Sequence, residues 1–206
     1  MEAEQLESAT AIALLRRQET LQAEAYHLID QLDLLALLSY AGQPEHIGSS
    51  VSGLMVWRDI DFNVWCSDRS LHTIVETMQP LLTHPRLTKL IYANETEGHA
   101  PRELRGDERH YYVTYLETES RQEWKIDISF WLSDQPRGHL AYLEYLGSRL
   151  TDETRLAILW IKDVWHHFPS YPYQVGGTDI YDAVLEHGVR TPAQFQEYLR
   201  ERGMPL

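Results

Sequence analysis

The spacing of hydrophobic residues changes along the chain, and the changes predict where helices and strands lie. Apolar residues recur every three or four positions from about Thr10 to Ser39, which predicts one or two amphipathic helices. Gly42 and Pro44 are expected to end these helices. Runs rich in apolar, β-branched and aromatic residues predict strands around His46–Ile47, from Asp59 to about Trp65, and over Leu87–Ala93, His110–Glu117 and Glu123–Leu132.

Helical periodicity returns between and after these strands. Asp68 or Ser70 is expected to cap a helix that ends near Leu82, with an inward face of Leu71, Ile74, Val75, Met78 and Leu82. The polar segment 94–108 contains glycine and proline and predicts a loop. Further helices are predicted over Arg137–Leu150, Thr151–His167, Ile180–His187 with Thr178 or Asp179 as its cap, and Thr191–Arg202.

These elements predict an α+β fold in which a mixed sheet is flanked by helices and followed by a C-terminal helical region. The boundary is placed at the polar stretch 133–138, where strand patterns give way to helical ones. We therefore expect a mixed domain over residues 1–135 and a helical domain over residues 136–206.

Two aspartates stand out on the strand that begins at Asp59. Asp59 and Asp61 alternate with Ile60 and Phe62, so both carboxylates point to one face while the apolar neighbours enter the core. Two adjacent negative charges favour a bound cation, and carboxylate oxygens suit Mg²⁺. The alternative is a solvated strand edge that carries two ordinary surface acids.

A Gly-Ser turn precedes this strand. Gly48 allows the backbone to approach a ligand closely, and a helix that starts at Ser49 or Ser50 would direct free N–H groups at a phosphate. An ordinary turn is the alternative, because a Gly-Ser pair alone is a weak signal. A phosphate site beside a metal would indicate nucleotide chemistry.

Composition and charge restrict the partners. The 206 residues have an ordinary globular composition, with 43% hydrophobic and 24% charged residues. The net charge of −13 and the presence of only three lysines disfavour nucleic acid as a partner, because phosphate-backbone binding depends on clustered cations. No apolar run is long enough for a membrane span, and the N-terminal residues lack the pattern of a secretion signal, so a cytoplasmic protein is expected.

The spacing of these residues resembles the polymerase-beta-like nucleotidyltransferase superfamily. Its signature is an apolar residue followed by Gly-Ser, a spacer of about ten residues, Asp-apolar-Asp on a strand, and a third carboxylate on a later strand. Here Ile47-Gly48-Ser49 is separated by nine residues from Asp59-Ile60-Asp61. Asp127, between Ile126 and Ile128, is the candidate for the third acid.

The resemblance implies transfer of a nucleoside monophosphate from an NTP to an acceptor, with release of pyrophosphate. Asp59, Asp61 and Asp127 would be catalytic and would hold two Mg²⁺ ions, or Mn²⁺ in their place, and Asp127 would also accept a proton. Gly48, Ser49 and Ser50 would contact the phosphates, and the helical domain would close on the nucleotide. ATP is the expected co-substrate, although the residues do not fix the base.

Lys162 is a further candidate contact to the nucleotide, contributed by the helical region. The alternative is a lysine that covers its helix face and keeps its ammonium group in water. The roles of the Tyr171–Gly177 loop and of the Gly176–Leu185 tract stay open, as does the oligomeric state.

The acceptor is expected to be a small hydroxylated compound of the aminoglycoside or lincosamide kind, and a protein hydroxyl is the main competitor. Two other classes also remain. One is a non-catalytic member of the fold that binds nucleotide or a partner protein. The other is an interaction protein whose acidic surface docks a basic partner and whose aspartates bind nothing.

Overall fold

The computed structural model describes residues 6–99, 108–132, 139–172 and 174–205. Contacts divide the chain into two compact units. The sheet unit comprises the described residues of 22–52 and 57–143, and the helical unit comprises those of 1–21, 53–56 and 144–206. The predicted division at residues 135 and 136 stays a prediction.

The order of elements follows the predicted alternation closely. The helices are α1 (Ser8–Gln31), α2 (Leu34–Ser39), α3 (Ser49–Ser52), α4 (Leu71–Leu82), α5 (His139–Arg149), α6 (Asp152–Trp165), α7 (Gly177–Glu186) and α8 (Pro192–Glu201), with a 3₁₀ turn at Glu97–His99. The strands are β1 (Gly42–Ile47), β2 (Asp59–Cys66), β3 (Leu87–Glu95), β4 (Arg109–Glu117) and β5 (Glu123–Trp131). Among the described residues, no helix combines the length and hydrophobicity that crossing a membrane requires.

The five strands form one mixed sheet in the order β1-β2-β5-β4-β3, which confirms the predicted α+β class. β2 and β5 are parallel, whereas the other three neighbouring pairs are antiparallel. β4 and β5 form the predicted hairpin. This order places the strand of Asp59 and Asp61 directly beside the strand of Asp127.

Alternation along β2 and β5 gives the sheet one apolar face. Its residues are at most 1% exposed: Ile60, Phe62, Val64, Ile126, Ile128 and Phe130. Buried residues of α2 and α4 contribute to the core of the same unit: Leu34, Leu38, Ile74, Met78 and Leu81. At about 25 cal/mol per Å² of buried apolar surface, this face is a main source of stability.

In the sheet unit, three details differ from the predictions. Pro44 does not precede β1 but lies within it, which is compatible with an edge strand that does not need every N–H. The buried face of α4 is rotated, since Leu71 and Val75 are each 43% exposed whereas Thr77 and Leu81 are buried. Of the predicted loop, residues 94 and 95 belong to β3, and residues 100–107 lie outside the described residues.

The helical unit is held by apolar packing among α6, α7 and α8. Trp165 of α6 meets the ring of Phe195 of α8 edge to face, with centroids 5.1 Å apart. Thr151 caps α6 through a reciprocal capping box with Thr154, as the Thr-Asp-Glu start predicts. The cap of α7 is Gly176 instead of Thr178 or Asp179, and Asp179 accepts a hydrogen bond from the Gly176 N–H at 2.7 Å.

Candidate active site

The parallel pairing of β2 and β5 brings the three predicted acids together. Asp61 lies opposite Asp127 in the register, and Asp59 lies opposite Lys125. Carboxylate oxygens of Asp59, Asp61 and Asp127 lie within 4.8 Å of one another. Divalent ions are held by oxygen ligands at this kind of separation, because ligand distances to the metal are about 2.0–2.6 Å.

Gly48 forms the turn beside this cluster, between β1 and α3. Its φ angle is +82°, a left-handed conformation that side chains with a Cβ rarely adopt. A Cβ at this position would also collide with the carboxylate of Asp61. Glycine is therefore required twice, for the turn and for the close approach of an acid to the backbone.

The two serines after Gly48 are placed differently. Ser49 opens α3 and is half-buried, whereas Ser50 is fully buried. The Ser50 hydroxyl shares a 2.8 Å hydrogen bond with Nε2 of His46, and burial lowers the pKa of His46 to about 4. The Ser50 hydroxyl is therefore engaged with a neutral imidazole, and the contact of Ser50 with a phosphate stays a prediction.

Lys125 lies among the acids, although the sequence analysis gave it no role. Its ammonium group donates to Asp59 Oδ1 at 3.3 Å and to Asp127 Oδ2 at 2.5 Å. Burial lowers the pKa of Lys125, but the charges of Asp59 and Asp127 outweigh burial and raise the net pKa. Lys125 is therefore a permanent cation within the cluster.

The carboxyl group of Asp127 is only partly satisfied. Its side chain is 14% exposed, and within the described part of the chain its Oδ1 atom is buried without a hydrogen-bond partner. Burial and the charge of Asp59 raise the pKa of Asp127, and the charge of Lys125 opposes this shift. A buried carboxylate oxygen without a donor is costly, and a divalent cation would satisfy it. The residues present therefore fit a bound Mg²⁺ or Mn²⁺.

Polar residues extend the same sheet face beyond the acids. Ser129, two residues after Asp127, accepts a 2.8 Å hydrogen bond from Arg109 Nη1. On β4, burial and the charge of Asp127 raise the pKa of Tyr111. Asn63, two residues after Asp61, is buried and accepts a 2.8 Å hydrogen bond from the indole of Trp131. The period of two was the available signal for these residues, because it places Asn63, Lys125 and Ser129 on the face of the acids.

Lys162 belongs to the helical unit and is 3% exposed. Its ammonium group donates to the Leu54 carbonyl oxygen at 2.7 Å and to the Tyr181 hydroxyl at 3.2 Å. An ammonium group kept in water on the helix face, the alternative interpretation, is therefore wrong. The contact of Lys162 with a nucleotide stays a prediction. In the neighbouring loop Tyr171 is largely buried, and Tyr173 lies outside the described residues.

No protein-family model matches the sequence, and no curated protein matches it. Among solved structures, the chain is similar to Cid1 in complex with the UTP analogue UMPNPP, with 14% identity, 69% of this chain and 40% of that chain covered, and a TM-score of 0.47. It is also similar to CdnC of E. coli MS115-1 with ATP, with 10% identity, 94% and 67% covered, and a TM-score of 0.44.

A third similar structure is described as a cytoplasmic RNA terminal U-transferase, with 15% identity, 70% of this chain and 46% of that chain covered, and a TM-score of 0.41. The chain thus spans less than half the length of this protein and of Cid1. Because all these TM-scores are below 0.5, any function assigned to the chain depends on the geometry of the site itself.

Proposed function

We propose that the protein is a metal-dependent nucleotidyltransferase that transfers a nucleoside monophosphate from an NTP to a hydroxyl group and releases pyrophosphate. One observation carries the proposal. Three carboxylates from two neighbouring parallel strands converge within 4.8 Å, beside a glycine turn that a Cβ would block. The left-handed turn at Gly48 lies directly against the Asp61 carboxylate, so a phosphate held at this turn would lie beside the acids.

Asp59, Asp61 and Asp127 are the residues that would hold Mg²⁺ or Mn²⁺. The bound metal would supply neutralisation of phosphate charge and a lower pKa for a coordinated hydroxyl. The buried Oδ1 of Asp127 supports this assignment, since it accepts no hydrogen bond from the residues that the structure describes.

The chain's own groups would do the rest by positioning and charge. We assign the outgoing phosphates to the backbone at Gly48 and Ser49, because the left-handed turn at Gly48 lies beside the acids. We assign acceptance of the acceptor's proton to Asp127, because a carboxylate beside a metal-bound hydroxyl group can act as a general base. Lys162 is a further residue that we assign to the nucleotide.

For the acceptor we propose a small hydroxylated compound of the aminoglycoside or lincosamide kind, with ATP as the NTP. The net charge of −13 supports a cationic small molecule over a nucleic acid, because the chain would repel a phosphate backbone. A protein hydroxyl is the competing acceptor.

The direct test is a screen of the four NTPs against a panel of aminoglycosides, lincosamides, acceptor proteins and RNA, scored by released pyrophosphate with Mg²⁺ or Mn²⁺. Asp61→Asn should abolish release. Asp30→Asn, which changes an exposed aspartate on α1, should leave it intact. Release that survives Asp61→Asn would overturn the mechanism, and release with RNA alone would overturn the acceptor class.

A second candidate is a non-catalytic member of the fold that binds nucleotide or a partner protein. The contact of Lys125 with both Asp59 and Asp127 favours it, because an ammonium group already neutralises part of the cluster. Calorimetry that detects ATP binding, together with no pyrophosphate release from any acceptor, would select this candidate.

A further inference from the structure

Lys125 divides the oxygens of the three acids into two groups. Its ammonium group contacts Asp59 Oδ1 and Asp127 Oδ2, at 3.3 and 2.5 Å. The other oxygen of Asp127, Oδ1, is buried and accepts no hydrogen bond from the described residues. One side of the cluster is therefore held by a fixed cation of the protein, while the other side presents an unsatisfied oxygen.

The sheet fixes this division. Lys125 and Asp127 are two residues apart on β5 and point to one face, and the parallel register sets Lys125 opposite Asp59. The side chain of Lys125 is 24% exposed, so its ammonium group is partly withdrawn from water and close to both acids. Its position follows from the same pairing that gathers the acids.

The contacts point to a single metal ion. The Lys125 ammonium group already occupies one oxygen of Asp59 and one of Asp127, which leaves the oxygens on the other side of the cluster for one divalent ion. A second divalent ion would have to share Asp59 and Asp127 with Lys125, and like charges at such distances repel strongly in a partly buried site.

We propose that this site binds one divalent cation and that the Lys125 ammonium group stands where a second one would otherwise bind. Lys125 is then a positioning residue that holds Asp59 and Asp127 together. The inference rests on the proposed function, because it concerns the same three acids, and it replaces the pair of metal ions that the sequence motif implies with one ion and one lysine.

The number of bound ions tests this inference without any catalytic assay. Mn²⁺ is titrated into the full chain and free Mn²⁺ is followed by electron paramagnetic resonance, at about 0.1 M KCl to screen weak surface binding. The wild type should bind one ion. Lys125→Met, which keeps an unbranched side chain one atom shorter and without the charge, should bind two, and Lys125→Arg should bind one. The matched control is Lys89→Met, because the Lys89 ammonium group lies over the ring of Tyr115, 5.0 Å from its centroid, and should leave the count at one.

Two ions in the wild type, or one ion in a folded Lys125→Met variant, would overturn the inference and leave the proposed function standing. No bound ion in the wild type or in the variants would overturn the metal site itself, and the proposed function with it. If Lys125→Met does not give a cooperative unfolding transition, the wild type and Lys125→Arg still decide, since each must bind a single ion.

Discussion

The two faces of β2 and β5 are built from alternating residues of the same strands, yet they differ in every physical respect. On one face Ile60 and Ile126 are completely buried among other apolar groups. On the other face Asp59, Asp127 and Lys125 are partly buried, charged and in mutual contact. Stability therefore arises on the first face, where apolar area leaves water, and chemistry is possible on the second, where buried charge is concentrated.

The buried acids lower the stability of the folded chain, and the apolar face of the sheet offsets this loss. Burial and the charge of Asp59 raise the pKa of Asp127, which means that the folded state disfavours its ionised form. A purely structural sheet would carry neutral residues there. The predictions below separate the two faces, from the largest expected effect to the smallest.

Asp127→Asn should lower the rate of pyrophosphate release at least about a hundred-fold, because even changes to the partners of metal ligands cost 10–100-fold. In metal-free buffer the same variant should unfold near the wild-type temperature, since the relief of burying a charge and the lost contact with Lys125 oppose each other. Initial rates and thermal unfolding measured on one preparation check both statements. A lowered unfolding temperature with an unchanged rate would assign Asp127 to structure instead of chemistry.

Ile126→Ala changes the residue between Lys125 and Asp127, on the opposite face of the sheet. It should lower stability and leave metal binding unchanged. Loss of a fully buried isoleucine should lower the free energy of unfolding by about 2–5 kcal/mol, through lost burial and the cavity left behind. Urea unfolding measures this change. The fraction that remains folded should still bind Mn²⁺ with wild-type stoichiometry, and an altered stoichiometry would show that the two faces are not separable.

Gly48→Ala should lower the free energy of unfolding by about 1–3 kcal/mol, because it places a side chain at φ +82°. Activity should fall by more than this loss explains, since the new Cβ displaces the Asp61 carboxylate. The matched control is Gly188→Ala at φ +69°, where a Cβ would meet no atom within 4 Å and only the backbone strain applies. Equal activity in the two variants, after each rate is divided by the fraction of protein that is folded, would contradict the close packing of Asp61 on Gly48.

His46 should make stability depend on pH in a defined window. Its pKa is about 4 in the folded chain and 6.5 as the reference value, so the unfolded chain binds the extra proton as pH falls below 6.5. Lowering pH from 7.5 to 5.5 should therefore remove about 1 kcal/mol of stability through this residue, with the loss complete below pH 4. Urea unfolding of the wild type and of His46→Gln at both values measures the difference, and the same pH dependence in both proteins would exclude His46 as its source.

Most of the arrangement of the acids can be predicted from the sequence, because the arrangement depends on local patterns. Alternation along Asp59–Asp61 gives the face of the acids, and the apolar residues around Asp127 give a buried strand. The parallel pairing of β2 with β5 depends on contacts distant in sequence, which a single chain does not reveal. Lys125 illustrates the limit, since its two-residue spacing from Asp127 is visible, whereas its contact with Asp59 requires the register.

The same limit explains the errors. Leu71 and Val75 match a helical period, but tertiary packing selects the neighbouring face with Thr77. The buried ammonium group of Lys162 is stabilised by its hydrogen bond to the Leu54 carbonyl oxygen. No local pattern in the sequence places Leu54 near Lys162.

The central claim is that Asp59, Asp61 and Asp127 together bind a divalent cation. Crystals of the full chain soaked in Mn²⁺ and measured at a wavelength with strong manganese anomalous scattering test it most directly. The account predicts an anomalous peak at the carboxylates of Asp59, Asp61 and Asp127, with Lys125 still beside Asp59. Full-occupancy manganese elsewhere on the chain, with none at these carboxylates, would contradict it.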